Sequence, residues 1–182
     1  AKAYSGMMAL GRALGVSIDF NGALILVPMM RRLLTWVRCT WLGRALPVDE
    51  AIDFHRIVGH TLFGVALAHA TMFILAYVIG HGSRLTQLLV FNLRGATGLG
   101  LLVVFGGMWV FALQVVRRTS HFELFYFTHL LYFVWLALAI VHAHSFAWWV
   151  GVPVFGLSVE RLLRLGRHAA GRVLRSDALR SG

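Results

Sequence analysis

Runs of about twenty apolar residues recur along this chain, and each is long enough to cross a bilayer as a helix. No other feature restricts the fold so tightly. Hydrocarbon offers a backbone amide no water to bond to, so each such segment must satisfy its own N–H and C=O groups internally. Five runs qualify, at residues 7–30, 56–80, 96–116, 122–143 and 146–163. The 182-residue chain is 59% hydrophobic, above the range of an ordinary soluble domain. The fold class predicted is all-α, a polytopic transmembrane helical bundle with five spans. The glycines of ATGLGLL fall inside the third run, so they read as helix-packing positions rather than a dinucleotide-binding turn. No segment has the alternation of a strand.

Charge gives the topology. Seventeen Lys+Arg stand against seven Asp+Glu, a net charge of +10. The basic residues cluster between apolar runs, which marks membrane orientation and excludes a nucleic-acid surface. Arg31, Arg32, Arg38, Arg44 and Arg56 lie between the first two spans, and Arg117 and Arg118 between the third and fourth. Arg161, Arg164, Arg167, Arg172, Arg175 and Arg180 follow within or after the fifth. The 81–95 loop carries only Arg84 and Arg94, and the turn around His144 carries none. The positive-inside rule then places the basic loops and the C-terminus in the cytoplasm. The first, third and fifth spans run inward, and the second and fourth run outward. The expected setting is an integral protein of the plasma membrane. Pro47 is expected to break a short interfacial helix before the second span. Cys39, the single cysteine, can form neither an internal disulfide nor a CxxC site. The chain opens at Ala1 with no initiator Met and no signal-peptide pattern, and it reads as a piece of a longer protein. Residues 1–165 are expected to form the membrane domain, and 166–182 a basic cytoplasmic tail without globular character.

Within this apolar frame the histidines stand out, because an ionisable side chain in hydrocarbon costs free energy. His55 and His69 lie fourteen residues apart in the second span. On an ideal helix they fall within about 40° of one face and about 21 Å apart. His129 and His142 lie thirteen apart in the fourth, about 19.5 Å along the axis. Two co-directional helices thus carry histidine pairs at matching depths. A lone membrane histidine is ordinarily a packed or hydrogen-bonded residue. Two matched pairs point instead to axial imidazoles on two stacked b-type haems, an electron path through the hydrocarbon. Zinc needs its ligands clustered, which this spacing denies. One detail resists: thirteen residues rotate about 220° beyond whole turns, whereas His144 sits only about 60° from the face of His129. An overwound stretch in the fourth helix would bring His142 round, and spacing alone leaves His142 and His144 both open.

Four stretches then resemble the membrane domain of the NADPH oxidases, most nearly the calcium-regulated EF-hand branch within the ferric reductase-like superfamily. They are FNGALILVPMMRRLLTWVR, LPVDEAIDFHRIVG, RRTSHFELFYFTHLLY and HAHSFAWWVGVPVF, in order over nearly the whole chain. That resemblance implies that His55 and His129 bind the inner haem iron, and His69 and His142 the outer. It implies a cytoplasmic FAD and NADPH dehydrogenase as partner, with molecular oxygen as acceptor and superoxide or hydrogen peroxide as product. It places Arg12 at the oxygen and superoxide site, though an arginine there also suits snorkelling to the interface. It places Trp135 on the path between haems, though aromatic packing explains a tryptophan equally. Many members carry a histidine where this chain has Phe73, which implies a less polar oxygen pocket. Arg32 and Arg56 are candidates to neutralise haem propionates, beside their role as topology signals with Arg31, Arg117 and Arg118. His60, rotated off the face of His55, reads as structural or haem-peripheral, while His81, His121 and His168 read as solvated. Such members usually carry one more helix before the first span here. A ferric reductase, or a haem-only quinol-linked subunit, would share the same ligands. A proton channel or assembly subunit would need none.

Overall fold

The computed structural model describes residues 2–45, 47–81, 87, 89, 91–118 and 122–180, with backbone alone for 81, 117, 118 and 168–180. His121 and Arg84 lie outside these residues, as do the side chains of His81 and His168. Among the described residues there are helices and no strand. Among them, five segments are long and apolar enough to span a bilayer: Lys2–Met29, Val48–Gly80, Leu93–Ala112, Phe122–His142 and His144–Arg167. Each overlaps one of the five runs read from the sequence, and the third ends at Ala112 rather than at 116.

The first span is helix α1 (Lys2–Leu24) followed by a short 3-10 turn, Val27–Met29. Pro28 explains the change of winding, since it has no N–H to continue the α-ladder. The amide of Met29 bonds to Leu26 O at 3.0 Å, one residue short of the α-helical partner. Two small helices, α2 (Arg31–Arg38) and α3 (Leu42–Ala45), bridge the basic end of the molecule. Pro47 then precedes a 3-10 turn, Val48–Glu50, which leads into α4 (Ala51–His81). The third span is α5 (Leu93–Ala112), capped by Asn92, whose side chain accepts from the Arg94 amide at 3.0 Å. After α6 (Gln114–Arg118), the fourth span comprises α7 (Phe122–His129) and α8 (Tyr132–His142). The last helix, α9 (His144–Arg180), runs further than the apolar pattern indicates. Its Arg-, Leu- and Ala-rich tail has good helix propensity and contains no proline beyond Pro153. The basic stretch after the last apolar run therefore continues the helix.

Apolar side chains are exposed along every span. Trp148 (87%), Val152 (78%) and Phe155 (71%) lie on α9 alone. In water such a surface would aggregate; in a bilayer it is the lipid-facing coat. The interior is small: Phe146, Val150 and Ala139 are buried, with Trp135 and Leu136 packed against them. Gly22 permits α1 to approach α9, since a Cβ there would fall 2.5 Å from the Phe146 ring. Helix α1 lies along α4, α5 packs against α7 and α8, and α9 against α1 and α8. By contrast α4 and the fourth span barely touch.

A distant contact fixes the basic end. Helix α2 has no side-chain cap of its own. Instead Glu160 of α9, only 9% exposed, accepts from the amides of Arg32 and Leu33 at 2.8 and 3.1 Å. It serves as an N-cap supplied from 128 residues away, satisfying two amides that a helix start leaves unpaired.

Candidate functional site

The two helices that barely touch meet through imidazoles. His55 of α4 faces His129, the last residue of α7, with ring centroids 6.1 Å apart and planes at 66°. A metal held between two imidazoles needs about 2.0 Å to each nitrogen and roughly 1.1 Å more to each ring centre, giving about 6 Å between centroids. The observed separation matches. His129 Nδ1 is buried and has no partner among the described residues, an arrangement that costs free energy unless the ring is coordinated or bonded. Phe125, one turn back, packs its ring at 5.2 Å from His129.

The orientation of His55 follows from the proline break. Because Met29 bonds to Leu26, the carbonyl of Ile25 is released from the helical ladder. It lies 2.9 Å from His55 Nδ1. A carbonyl can only accept, so Nδ1 carries the proton and Nε2 keeps its lone pair. That is the tautomer of a metal-binding histidine steadied by an outer partner.

The same logic recurs at the other end of the spans. His69 Nδ1 donates to Gly11 O at 2.9 Å. The imidazole reaches the α1 backbone because Gly15, one turn on, has no side chain; a Cβ there would lie 3.3 Å from His69 Cε1. Phe73 packs on His69 with centroids at 4.9 Å and fills the notch above buried Gly11, where a Cβ would fall 2.7 Å from the Phe73 ring. His142 Nδ1 lies 2.9 Å from Thr97 Oγ1 on α5. That hydroxyl is committed to Leu93 O at 2.7 Å. Its one proton is thus spent, so His142 Nδ1–H donates and Nε2 again keeps its lone pair. Gly98 provides the room, with its Cβ position 3.1 Å from His142 Cε1.

The two histidines left open by spacing differ in their surroundings. Between α7 and α8 the chain tightens: Leu131 N bonds to Thr128 O at 3.1 Å and Phe133 N to Leu130 O at 3.3 Å. Each residue in such a 3-10 turn advances about 120° instead of about 100°. His142 meets Thr97 of α5, while His144 starts α9 and is exposed.

The remaining candidates sit apart. Arg12 is exposed on α1, one residue from Gly11. Trp135 is half-buried between the two histidine levels, with Phe105 at 5.4 Å and Phe146 at 5.6 Å. The Arg56 guanidinium pairs with Asp53 at 2.7 Å, and the Arg32 side chain is exposed beside the Glu160 cap. Several contributors went unread in the sequence: the carbonyls of Ile25 and Gly11, the hydroxyl of Thr97, and the clearances at Gly15 and Gly98. Pro28, the Gly11 and Gly15 pair one turn apart, and adjacent Thr97 and Gly98 are the signals that carried them.

This donor geometry agrees with what the chain is similar to. A family described as "Ferric reductase like transmembrane component" matches residues 21–141. The chain belongs to the ferric reductase-like transmembrane family. Within it, human NADPH oxidase 5 is 33% identical over 176 residues, covering 84% of this chain and 23% of that protein. Human dual oxidase 2 is 30% identical, covering 95% of this chain and 13% of its own length. A superoxide-generating NADPH oxidase heavy chain of Dictyostelium discoideum is 34% identical, with 82% and 33% covered. The resemblance to the membrane domain of NADPH oxidases therefore holds. The chain spans a third or less of each of these ferric reductase-like relatives.

Proposed function

We propose that this chain is the transmembrane electron conduit of an NADPH oxidase, holding two b-type haems. Electrons from cytoplasmic NADPH and FAD would pass to external molecular oxygen, yielding superoxide or hydrogen peroxide. The dehydrogenase that supplies them lies outside residues 1–182; 1–165 form the membrane domain, and 166–182 lead towards that partner. The basic end faces the cytoplasm by the positive-inside rule, in a plasma membrane.

One observation carries the reading. Three of the four paired histidines have Nδ1 tied to an oxygen, which leaves Nε2 as a ligand, and the fourth faces His55 at the spacing of a shared metal. His55 and His129 would hold the inner haem, and His69 and His142 the outer. Haem, when bound, supplies a one-electron couple on each side of the membrane. The protein's part is to hold each imidazole in the right tautomer, keep water out and keep the two levels apart. Trp135, between the levels, places an aromatic ring on the path. At the outer end Phe73 gives His69 an apolar neighbour, and Arg12 supplies a cation that attracts a small anion product. Because the paired histidines would occupy each haem iron, oxygen would be held by side chains beside the outer haem, Phe73 and Arg12 among them. Arg32 and Arg56 would neutralise propionates at the inner end, with Arg56 exchanging its exposed pairing with Asp53.

Pyridine haemochrome quantification of the purified chain tests this. Two haems per chain are expected, one in His142→Ala and two in His144→Ala. A colourless protein expressed with ample haem ends the proposal. A ferric reductase would share the ligands, so reconstitution with a dehydrogenase should yield superoxide whether or not ferric chelate is present.

A further inference from the structure

His60 is not part of either histidine pair, yet it lies exposed within the second span. Its Nδ1 receives a hydrogen bond from Trp109 Nε1 of α5 at 2.8 Å. An indole nitrogen can only donate, so Nδ1 is the acceptor and the ring proton sits on Nε2. This is the reverse of the tautomer at His55, His69 and His142. The outcome is an N–H donor presented at the membrane-facing surface, where an unpaired donor is costly.

The surroundings match a flat ligand with a carbonyl oxygen. His60 lies four residues beyond Arg56, about 6 Å along the helix from the charged end, the depth at which an amphiphile's head group meets its chain. Gly64, one turn further along the same face, has open space beside it, as does Gly107 on α5. Trp109 stacks on Phe63 with centroids 4.6 Å apart and planes at 17°. Phe63 meets Phe105 at 5.4 Å, and Phe105 meets Trp135 at 5.4 Å. A row of π-systems thus leads from the lipid-facing surface to the middle of the bundle.

We propose that His60, Trp109 and the Gly64 shelf bind the head group of a lipid-soluble quinone, whose carbonyl accepts from His60 Nε2–H. The aromatic row then gives that head group electronic contact with Trp135. This contact rests on the conduit reading; the binding site does not. A phospholipid ester carbonyl offers the same acceptor, but an isolated ester has no use for an aromatic row, so the quinone is favoured.

Photolabelling with an azido-quinone tests the site on the full chain in phosphatidylcholine nanodiscs. Saturable labelling should map to the peptides carrying His60 or Trp109, and excess decylubiquinone should displace it. His60→Leu should weaken binding about five- to tenfold, the worth of one neutral hydrogen bond, while His60→Gln, which keeps an N–H donor, should retain most of it. Both variants should keep the parent's Soret spectrum, because neither removes a paired histidine. Labelling that decylubiquinone does not displace, or that His60→Leu leaves unchanged, overturns the proposal. If label is not displaced by the quinone but increases in ether-linked lipid, the acceptor is the ester carbonyl and the quinone site is likewise refuted. A colourless chain that still labels would sink the conduit and leave this site standing.

Discussion

Thr97→Val isolates what a single hydroxyl does for the outer haem. Valine keeps the branched shape, so α5 should pack unchanged against α8. What goes is an oxygen that accepts from His142 Nδ1–H at 2.9 Å while donating to Leu93 O at 2.7 Å. The Leu93 carbonyl remains within the helical ladder, so its loss is small. His142 loses its tie to the Thr97 hydroxyl, and weakening the pairing of a half-buried donor costs about 1–3 kcal/mol. Free rotation of the ring also lowers its value as a ligand; losing an outer-shell partner typically costs about 10- to 100-fold in metal affinity. The two figures agree, since about 1.4 kcal/mol is tenfold. The inner pair is tied to Ile25, about 21 Å along the helix, and should not respond. Titrating the haem-free variant with haem should therefore give one tight equivalent and one weakened about 10- to 100-fold, with the parent showing two tight ones. Thr97→Ser, which keeps the oxygen, should restore most of the second. Two tight equivalents in Thr97→Val would refute the tether, and with it the inference that the hydroxyl sets the tautomer of His142.

Other perturbations reach different links. Pro28→Ala should let the α-helix continue and recapture the Ile25 carbonyl, so the inner haem should be the one that weakens, read as loss of that haem's redox wave. Gly11→Val should drive a side chain into Phe73, against a clearance of 2.7 Å at Cβ; overpacking of this kind costs about 1–3 kcal/mol, and the thermal midpoint in detergent should fall. Glu160→Ala should uncap α2 at about 0.5–2 kcal/mol, seen as faster amide exchange at Arg32 and Leu33, while Glu160→Gln should retain much of the protection. Arg38→Ala should change stability by no more than about 1 kcal/mol, because its 2.6 Å pairing with Asp49 is solvent-exposed.

The spans and their order were legible because hydrocarbon allows the backbone only one solution, and length and hydropathy are properties of the chain itself. The two histidine depths were legible for the same reason, as helical rise converts residue number directly into distance. Rotation was less so: ideal geometry favoured His144 over His142, and a tightened turn at Leu130 and Leu131, which no single residue there announces, alters that geometry. The last helix outruns its span because apolar content stops near residue 163 while helix propensity does not.

What the sequence determined alone, then, is that this chain crosses a membrane five times and carries imidazoles at two levels. Tertiary structure decided which nitrogen each imidazole offers, because that depends on a partner from another helix: the oxygens of Ile25 and Gly11 for α4 and of Thr97 for α8, and Trp109, a donor, for His60. It also assigned Glu160 to the start of a helix 128 residues away. A hydrogen bond between distant segments leaves no periodicity in either, so only packing brings donor and acceptor together.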